Sequence, residues 1–243
     1  MKTTLVIPAY DEAGRLEPAA FEQAVAGDPD LNLLFVDDGS RDDTGSVLGG
    51  IADRWPGRVA VRIEPVNVGK AEAVRRGMLE ALGRDAAIVG YWDADLATPL
   101  GELKALREAL AADPAIQAVL GSRVRLLGRH IERRAARHYL GRAFATVVSV
   151  ALRAPVYDTQ CGAKLFRAGP ILRDALALPF RSRWIFDVEL LGRLGKRVPG
   201  GLIGAVREVP LTTWADRPGS RLRWHAFVRA PLEMARIYWR ELR

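Results

Sequence analysis

Short apolar runs separated by longer stretches of mixed spacing set the rhythm of the first half of this chain. The runs at Thr4 to Ile7, Leu31 to Val36, Val59 to Ile63, Ala86 to Trp92 and Ala118 to Gly121 predict strands. Between them, Leu16 to Ala26, Thr44 to Arg54, Lys70 to Leu82 and Pro99 to Ala112 carry the spacing of helices with one buried face. Pro99 suits a first helical turn, with Thr98 as its N-cap. Strands alternating with helices predict an α/β fold, a Rossmann-like, mostly parallel sheet covered on both faces. After Ser122 the rhythm gives way to basic helices, a short segment at Ala163 to Phe166 and a strand candidate at Ala205 to Val209.

Composition narrows the class. At 243 residues, 49% hydrophobic and 27% charged, the chain is long enough for a full core and carries no mark of two independent domains. One cysteine, Cys161, excludes an internal disulfide and a cysteine-based zinc site, and three histidines argue against a histidine-rich metal centre. Met1-Lys2-Thr3 leads straight into the first strand without a secretory signal. The longest apolar helical run, Phe144 to Leu152, falls far short of the roughly 20 residues that span a bilayer. A cytoplasmic protein with no transmembrane segment is expected.

The net charge of +7 is unevenly spread. Arg123 to Arg142 carries +6 and Arg217 to Arg243 carries +5, so the remainder is −4. Two basic segments in the second half point to a localised anionic partner, a lipid surface or a phosphorylated acceptor, or else to two solvated helix faces. Nucleic acid is not expected, because no recognised module accompanies the charge and the acidic strand ends would repel a backbone.

Those strand ends carry the candidate chemistry. Pro8-Ala9-Tyr10-Asp11-Glu12 follows the first strand, Asp37-Asp38-Gly39-Ser40 the second, Asn67-Val68-Gly69-Lys70 the third and Asp93-Ala94-Asp95 the fourth. In a parallel sheet all four lie on one edge, where ligands of open α/β sheets settle. Two carboxylates one residue apart can hold a hard divalent cation against a pyrophosphate. The plainer alternative at each position is turn and cap chemistry.

Their spellings resemble the family 2 glycosyltransferases of GT-A fold. Further on, Asp158 to Phe166, Arg183 to Leu191, and Trp214 with Gly219 to Leu222 resemble the polyprenyl- and dolichyl-phosphate sugar transferases, the dolichyl-phosphate β-glucosyltransferase type above all. The resemblance implies a GT-A catalytic domain over 1–222. Residues 223–243 would form a basic amphipathic helix, either in the same domain or as a membrane-surface extension.

The same resemblance implies an inverting hexosyl transfer from a nucleotide sugar, UDP-glucose or GDP-mannose, to a polyprenyl phosphate. Nucleotide-sugar contacts are expected from Pro8, Ala9, Tyr10, Glu12, Asp37, Lys70, Asp93, Ala94 and Asp95. Asp93 and Asp95 would hold Mg²⁺ or Mn²⁺, the cations that oxygen ligands favour over zinc. Mannosyl-transferring relatives often place a glutamine two residues after the second aspartate. Ala97 stands there in this chain and cannot coordinate, which tilts the donor towards UDP-glucose.

A lipid phosphate, with its second pKa of about 6, is already nucleophilic at neutral pH. Arg123, Arg217 and Arg221 are the candidates to hold it, Arg221 standing where relatives usually carry lysine. Asp158 would orient the nucleophile, act as base for a hydroxyl acceptor, or brace its own turn. Asp187 and Glu189 support the site on either a strand or a helix.

Arginines interleaved with Ile131, Tyr139, Leu140, Phe144 and Val147 to Val150 suit an interfacial helix pair over Ile131 to Leu152. The same holds for the arginines among Trp224, Phe227, Leu232, Met234, Ile237, Tyr238 and Trp239. Peripheral attachment at the inner face of the membrane is expected. Either it is reversible, or a membrane-anchored protein partner supplies the anchor, or the acceptor is not a lipid. The alternatives are transfer to a soluble hydroxyl acceptor and a non-catalytic nucleotide-sugar-binding module.

Overall fold

The structure is a computed structural model that describes residues 1–132, 135–217 and 232–242. Its strands are β1 (Thr3–Ala9), β2 (Leu31–Asp37), β3 (Val59–Ile63), β4 (Ile88–Trp92), β5 (Ala118–Ser122), β6 (His130–Glu132), β7 (Ala163–Arg167), β8 (Val206–Pro210) and β9 (Thr213–Ala215). Helices α1 (Pro18–Gly27), α2 (Thr44–Arg54), α3 (Lys70–Ala81), α4 (Leu103–Ala111), α5 (Ala135–Leu152), α6 (Pro170–Ala175) and α7 (Phe186–Gly195) connect them.

Alternation along the strands explains the two layers of helices. Leu5 and Ile7 of β1 join Leu33 and Phe35 of β2 in a core shared with α1, α2 and α4. Val6, Leu34 and Val36 face the opposite way, into a core with α3, α5, α6 and α7. Helix α3 lies especially close to the sheet because Gly77 has no side chain. A Cβ there would stand 2.5 Å from Val6 Cγ1 and 2.8 Å from Val36 Cγ2.

Seven strands form one sheet in the order β3-β2-β1-β4-β7-β5-β8, and β6 pairs with β9 in a small second sheet. Strands β1 to β4 are parallel, so their C-terminal ends share an edge. The order reverses at β1, with β2 and β3 on one side and β4 on the other, which makes the β1/β4 boundary the crevice where ligands of such sheets bind. The mostly parallel sheet holds, with one exception: β7 runs antiparallel between β4 and β5.

Several boundaries differ from the periodicity. Pro99 is extended (φ −61°, ψ 145°), one 3-10 turn at Leu100–Glu102 follows, and α4 starts only at Leu103. Thr98 is therefore not the N-cap; its carbonyl accepts from Trp92 Nε1 at 2.6 Å. Ile131 lies in β6 beside Trp214 rather than in a helix, so the expected helix pair reduces to α5. Asp187 and Glu189 belong to a helix, α7.

Arg221, Gly219, Ser220 and the rest of 218–231 lie outside the described residues. Residues 232–242 are helical and dock on the core through Met234 and Ile237. Among the described residues no helix is long and apolar enough to cross a membrane.

Candidate active site

Two loops leave β1 and β2 side by side and are laced together. The N–H of Asp11 donates to Ser40 Oγ (2.9 Å), and Arg41 returns its N–H to Asp11 Oδ1 (2.7 Å). Glu12 N–H donates to Thr44 Oγ1 at 2.7 Å. Pro8 and Ala9 form the last two residues of β1, and Tyr10 opens the loop half-buried. Asp37 is buried at the end of β2, accepting the Ser40 N–H at 2.9 Å. Glu12 pairs with Arg15 through one oxygen, while its other oxygen, Oε2, is buried without a hydrogen-bond partner. It is an acceptor left for a donor in this cleft.

Asp38, adjacent to the predicted Asp37, holds the next element in place. Its Oδ1 accepts the N–H of Val68 (2.7 Å) and its Oδ2 that of Gly69 (2.8 Å). Burial pushes its carboxyl above the ordinary aspartate range, partly offset by these two bonds. The clamp fixes the start of α3, whose first residue is Lys70. Lys70 Nζ reaches Asp93 Oδ1 at 2.5 Å. Desolvation would lower the ammonium's pKa, but Asp93 above all, with Asp187 and Asp95 behind it, holds it above the ordinary value.

Asp93 and Asp95 emerge where β4 stops. Asp95 Oδ1 accepts the Ala97 N–H at 3.0 Å, and its pKa is raised, first by burial and then by the neighbouring Asp93 charge. Ala94 between them is buried and contributes packing. Asp93 donates its N–H to the Gly162 carbonyl (2.9 Å), and its carboxylate lies flat against Gly162. A Cβ on Gly162 would stand 2.1 Å from Asp93 Cγ, so only glycine leaves room for the carboxylate.

Among the described residues no cluster of three or more metal-ligating side chains exists. Two carboxylates one residue apart at the end of β4, with the Asp93 charge raising the proton affinity of Asp95, nevertheless fit a divalent cation. A Mg²⁺-type ion takes one or two carboxylates and completes its shell with phosphate oxygens and water.

The segment past Asp158 carries the other half of the site. Asp158 and Arg123, 35 residues apart in sequence, form a two-pronged ion pair, Nε to Oδ2 at 2.6 Å and a terminal nitrogen to Oδ1 at 2.7 Å. The Arg123 guanidinium also lies over the Trp214 ring at 5.2 Å, and the Asp158 charge raises its pKa further despite burial. Glu208 of β8 braces the same turn, accepting the N–H groups of Tyr157 and Asp158 at 2.7 Å each. A cleft opens here, lined by Arg123, Arg142, Phe144, Tyr157, Asp158 and Gln160. The exposed Arg142 sits over the Tyr157 ring at 4.9 Å.

A buried hub joins the halves. Asp187 of α7 accepts from Tyr91 Oη, from Lys164 Nζ at 2.9 Å and from Gln160 Nε2 at 3.2 Å. Arg217 is held apart from this group by a 3.1 Å pair with Glu17. Glu189 is also removed, paired with Arg193 on the buried side of α7. Cys161 is buried and its thiol pushed up by burial, which leaves it inert. In the sequence Asp38, Gly162 and Lys164 stand only inside longer motifs with no role of their own, Glu208 stands in none, and Arg142 is one of the arginines of the expected interfacial helix. The spellings Asp-Asp-Gly-Ser and Gln-Cys-Gly-Ala-Lys contained a signal for the first three only.

Comparison with known proteins agrees with this arrangement. Residues 4–173 match the model of glycosyl transferase family 2. A dolichyl-phosphate beta-glucosyltransferase of Trichomonas vaginalis is 30% identical over 97% of this chain and 70% of its own length. A dolichyl-phosphate beta-glucosyltransferase of Drosophila melanogaster is 36% identical over 79% of this chain and 62% of its own. The polyprenol monophosphomannose synthase of Mycolicibacterium smegmatis is 26% identical over 87% of this chain and 77% of its own.

Among solved structures, glucosyl-3-phosphoglycerate synthase of Mycobacterium tuberculosis, in complex with Mn²⁺, UDP-glucose and phosphoglyceric acid, shares the fold. Its TM-score is 0.68 at 20% identity, covering 98% of this chain and 80% of that one. With a GT-A sheet presenting two aspartates at its switch point and a family match across most of its length, the chain belongs to glycosyl transferase family 2 and is a glycosyltransferase.

Proposed function

We propose that this chain transfers glucose from UDP-glucose to a polyprenyl phosphate, inverting the anomeric carbon in one in-line displacement. The observation that carries the reading is the meeting of two opposed charge sites along the 158–163 segment. Gly162 seats Asp93 on the donor side, and Asp158 holds Arg123 on the acceptor side. The named relatives, dolichyl-phosphate glucosyltransferases among them, support the lipid acceptor, and Ala97 supports the glucosyl donor over GDP-mannose.

The residues divide as follows. The 8–12 loop, Asp37 and the free Glu12 oxygen bind the nucleoside half, and Lys70 meets the diphosphate. Asp93 and Asp95 hold Mg²⁺ or Mn²⁺, which when bound supplies Lewis-acid stabilisation of the leaving diphosphate, typically several kcal/mol. Arg123 and Arg142 line the cleft that takes the acceptor phosphate. Because that phosphate is largely a dianion at neutral pH, alignment rather than proton abstraction is the protein's task.

Asp158 accordingly acts as a positioning carboxylate. Both of its oxygens accept from Arg123, which weighs against a base and therefore against a soluble hydroxyl acceptor. Arg221, outside the described residues, is kept as a proposed contact to the acceptor phosphate, whereas Arg217, paired with Glu17, is not.

Attachment to a membrane surface fits the exposed apolar side chains Leu126, Leu127, Val147 and Val150. Incubation with UDP-glucose or GDP-mannose, Mn²⁺ and a short polyprenyl phosphate, with mass analysis of products, tests the reading. Acceptor-dependent lipid-phosphate hexose is expected from UDP-glucose. Donor hydrolysis without transfer would overturn the acceptor.

A further inference from the structure

Lys70 of the donor group has a proposed metal ligand, Asp93, as its partner in this structure. Its ammonium lies 2.5 Å from Asp93 Oδ1, with side-chain exposures of 46% and 31%. The pair is partly exposed, unlike Arg123 and Asp158 at 13% and 6%. Asp187, the next carboxylate acting on Lys70, is already met by the buried Lys164 at 2.9 Å. Lys70 is therefore not needed to neutralise the hub beneath it. Its root is fixed, since Asp38 clamps the Val68 and Gly69 amides immediately before it. Its head is a compact charge on a flexible four-carbon stem.

A divalent ion and an ammonium cannot share Asp93 cheaply. Two like charges about 4 Å apart repel by roughly 4 kcal/mol per unit charge product at an effective dielectric of 20. A bare pair of carboxylates would in turn repel an incoming diphosphate. Resting on the donor-site reading above, we propose that Lys70 is a resident counter-cation that changes partner during binding. With no donor present it neutralises Asp93. When a nucleoside diphosphate arrives, the ammonium moves to the phosphate oxygens and releases Asp93, with Asp95, to the divalent ion. Metal affinity is then low until the diphosphate is bound, and by linkage each tightens the other to the same degree.

Calorimetric titration of Mn²⁺ into the full chain, with and without UDP, tests this in wild type, Lys70→Met and Lys70→Arg. Wild type should bind Mn²⁺ weakly alone and tightly with UDP. Lys70→Met should bind Mn²⁺ alone about tenfold more tightly than wild type. It should also lose most of the gain that UDP confers, while Lys70→Arg, which keeps a cation, retains the wild-type pattern. Lys70 is half exposed, so thermal unfolding should show both variants folded. Mn²⁺ affinity in Lys70→Met equal to or weaker than wild type without UDP would overturn the exchange while leaving the metal site standing. Wild type that binds no Mn²⁺ under either condition would overturn the donor-site reading, and the exchange with it.

Discussion

Arg123 and Asp158 are joined by two parallel hydrogen bonds of 2.6 and 2.7 Å inside a site where both side chains are nearly buried. Such a pair is matched in geometry as well as charge. Removing one partner leaves an uncompensated buried ion. Arg123→Ala and Asp158→Ala should each cost about 3–5 kcal/mol of stability in urea unfolding, with a double variant costing less than the sum. Strict additivity would mean that the pair does not form.

Asp95→Asn keeps the shape and the Ala97 contact but gives up the charge. Metal-dependent transfer should fall by about 10²–10³-fold, the equivalent of several kcal/mol of transition-state stabilisation, with an unchanged melting transition. Undiminished turnover would remove the metal assignment.

Gly162→Ala tests how Asp93 is seated. The new methyl would stand 2.1 Å from Asp93 Cγ, so the carboxylate has to leave its bed against the backbone. Overpacking should cost about 1–3 kcal/mol, and Mn²⁺ affinity in the presence of UDP should drop by about tenfold. Retained affinity would show that Asp93 coordinates from another position.

Glu208 supplies a pH signature. Burial raises its pKa above the ordinary glutamate range despite the bonds from Tyr157 and Asp158. Across the window from the ordinary value to the raised one, the native state therefore holds more protons than the unfolded state, and stability falls as pH rises. Relative to Glu208→Gln, wild type should lose stability as pH rises above the ordinary glutamate value of about 4.5, measured by urea unfolding at each pH. A difference independent of pH would mean that Glu208 titrates like an exposed glutamate.

Much of the donor half was legible from the chain. Each motif there sits in the few residues after a strand, and the strands announced themselves by apolar runs that alternate between two cores. Parallel pairing of β1 to β4 then brings their ends together without further information. The acceptor half was less legible because its contacts are long-range. Arg123 and Asp158 were both candidates, but nothing local says that each is the other's partner. Asp187 lay in an apolar stretch that reads equally as strand or helix, and only as part of α7 does it reach Tyr91, Lys164 and Gln160.

The Thr98 cap failed for a related reason. The Trp92 indole, buried at the end of β4, takes the Thr98 carbonyl and holds Pro99 extended, a tertiary demand that outranks the local preference for a cap.

By itself, then, the sequence determined the α/β order, the edge on which the acidic and amide-rich turns gather, and the family, because these follow from local periodicity and from short motifs whose spacing is covalent. Tertiary structure alone decided which charges neutralise one another: Lys70 with Asp93, Arg123 with Asp158, Lys164 with Asp187. Ion pairing depends on distance and burial across the folded sheet, quantities that no local pattern along the chain encodes.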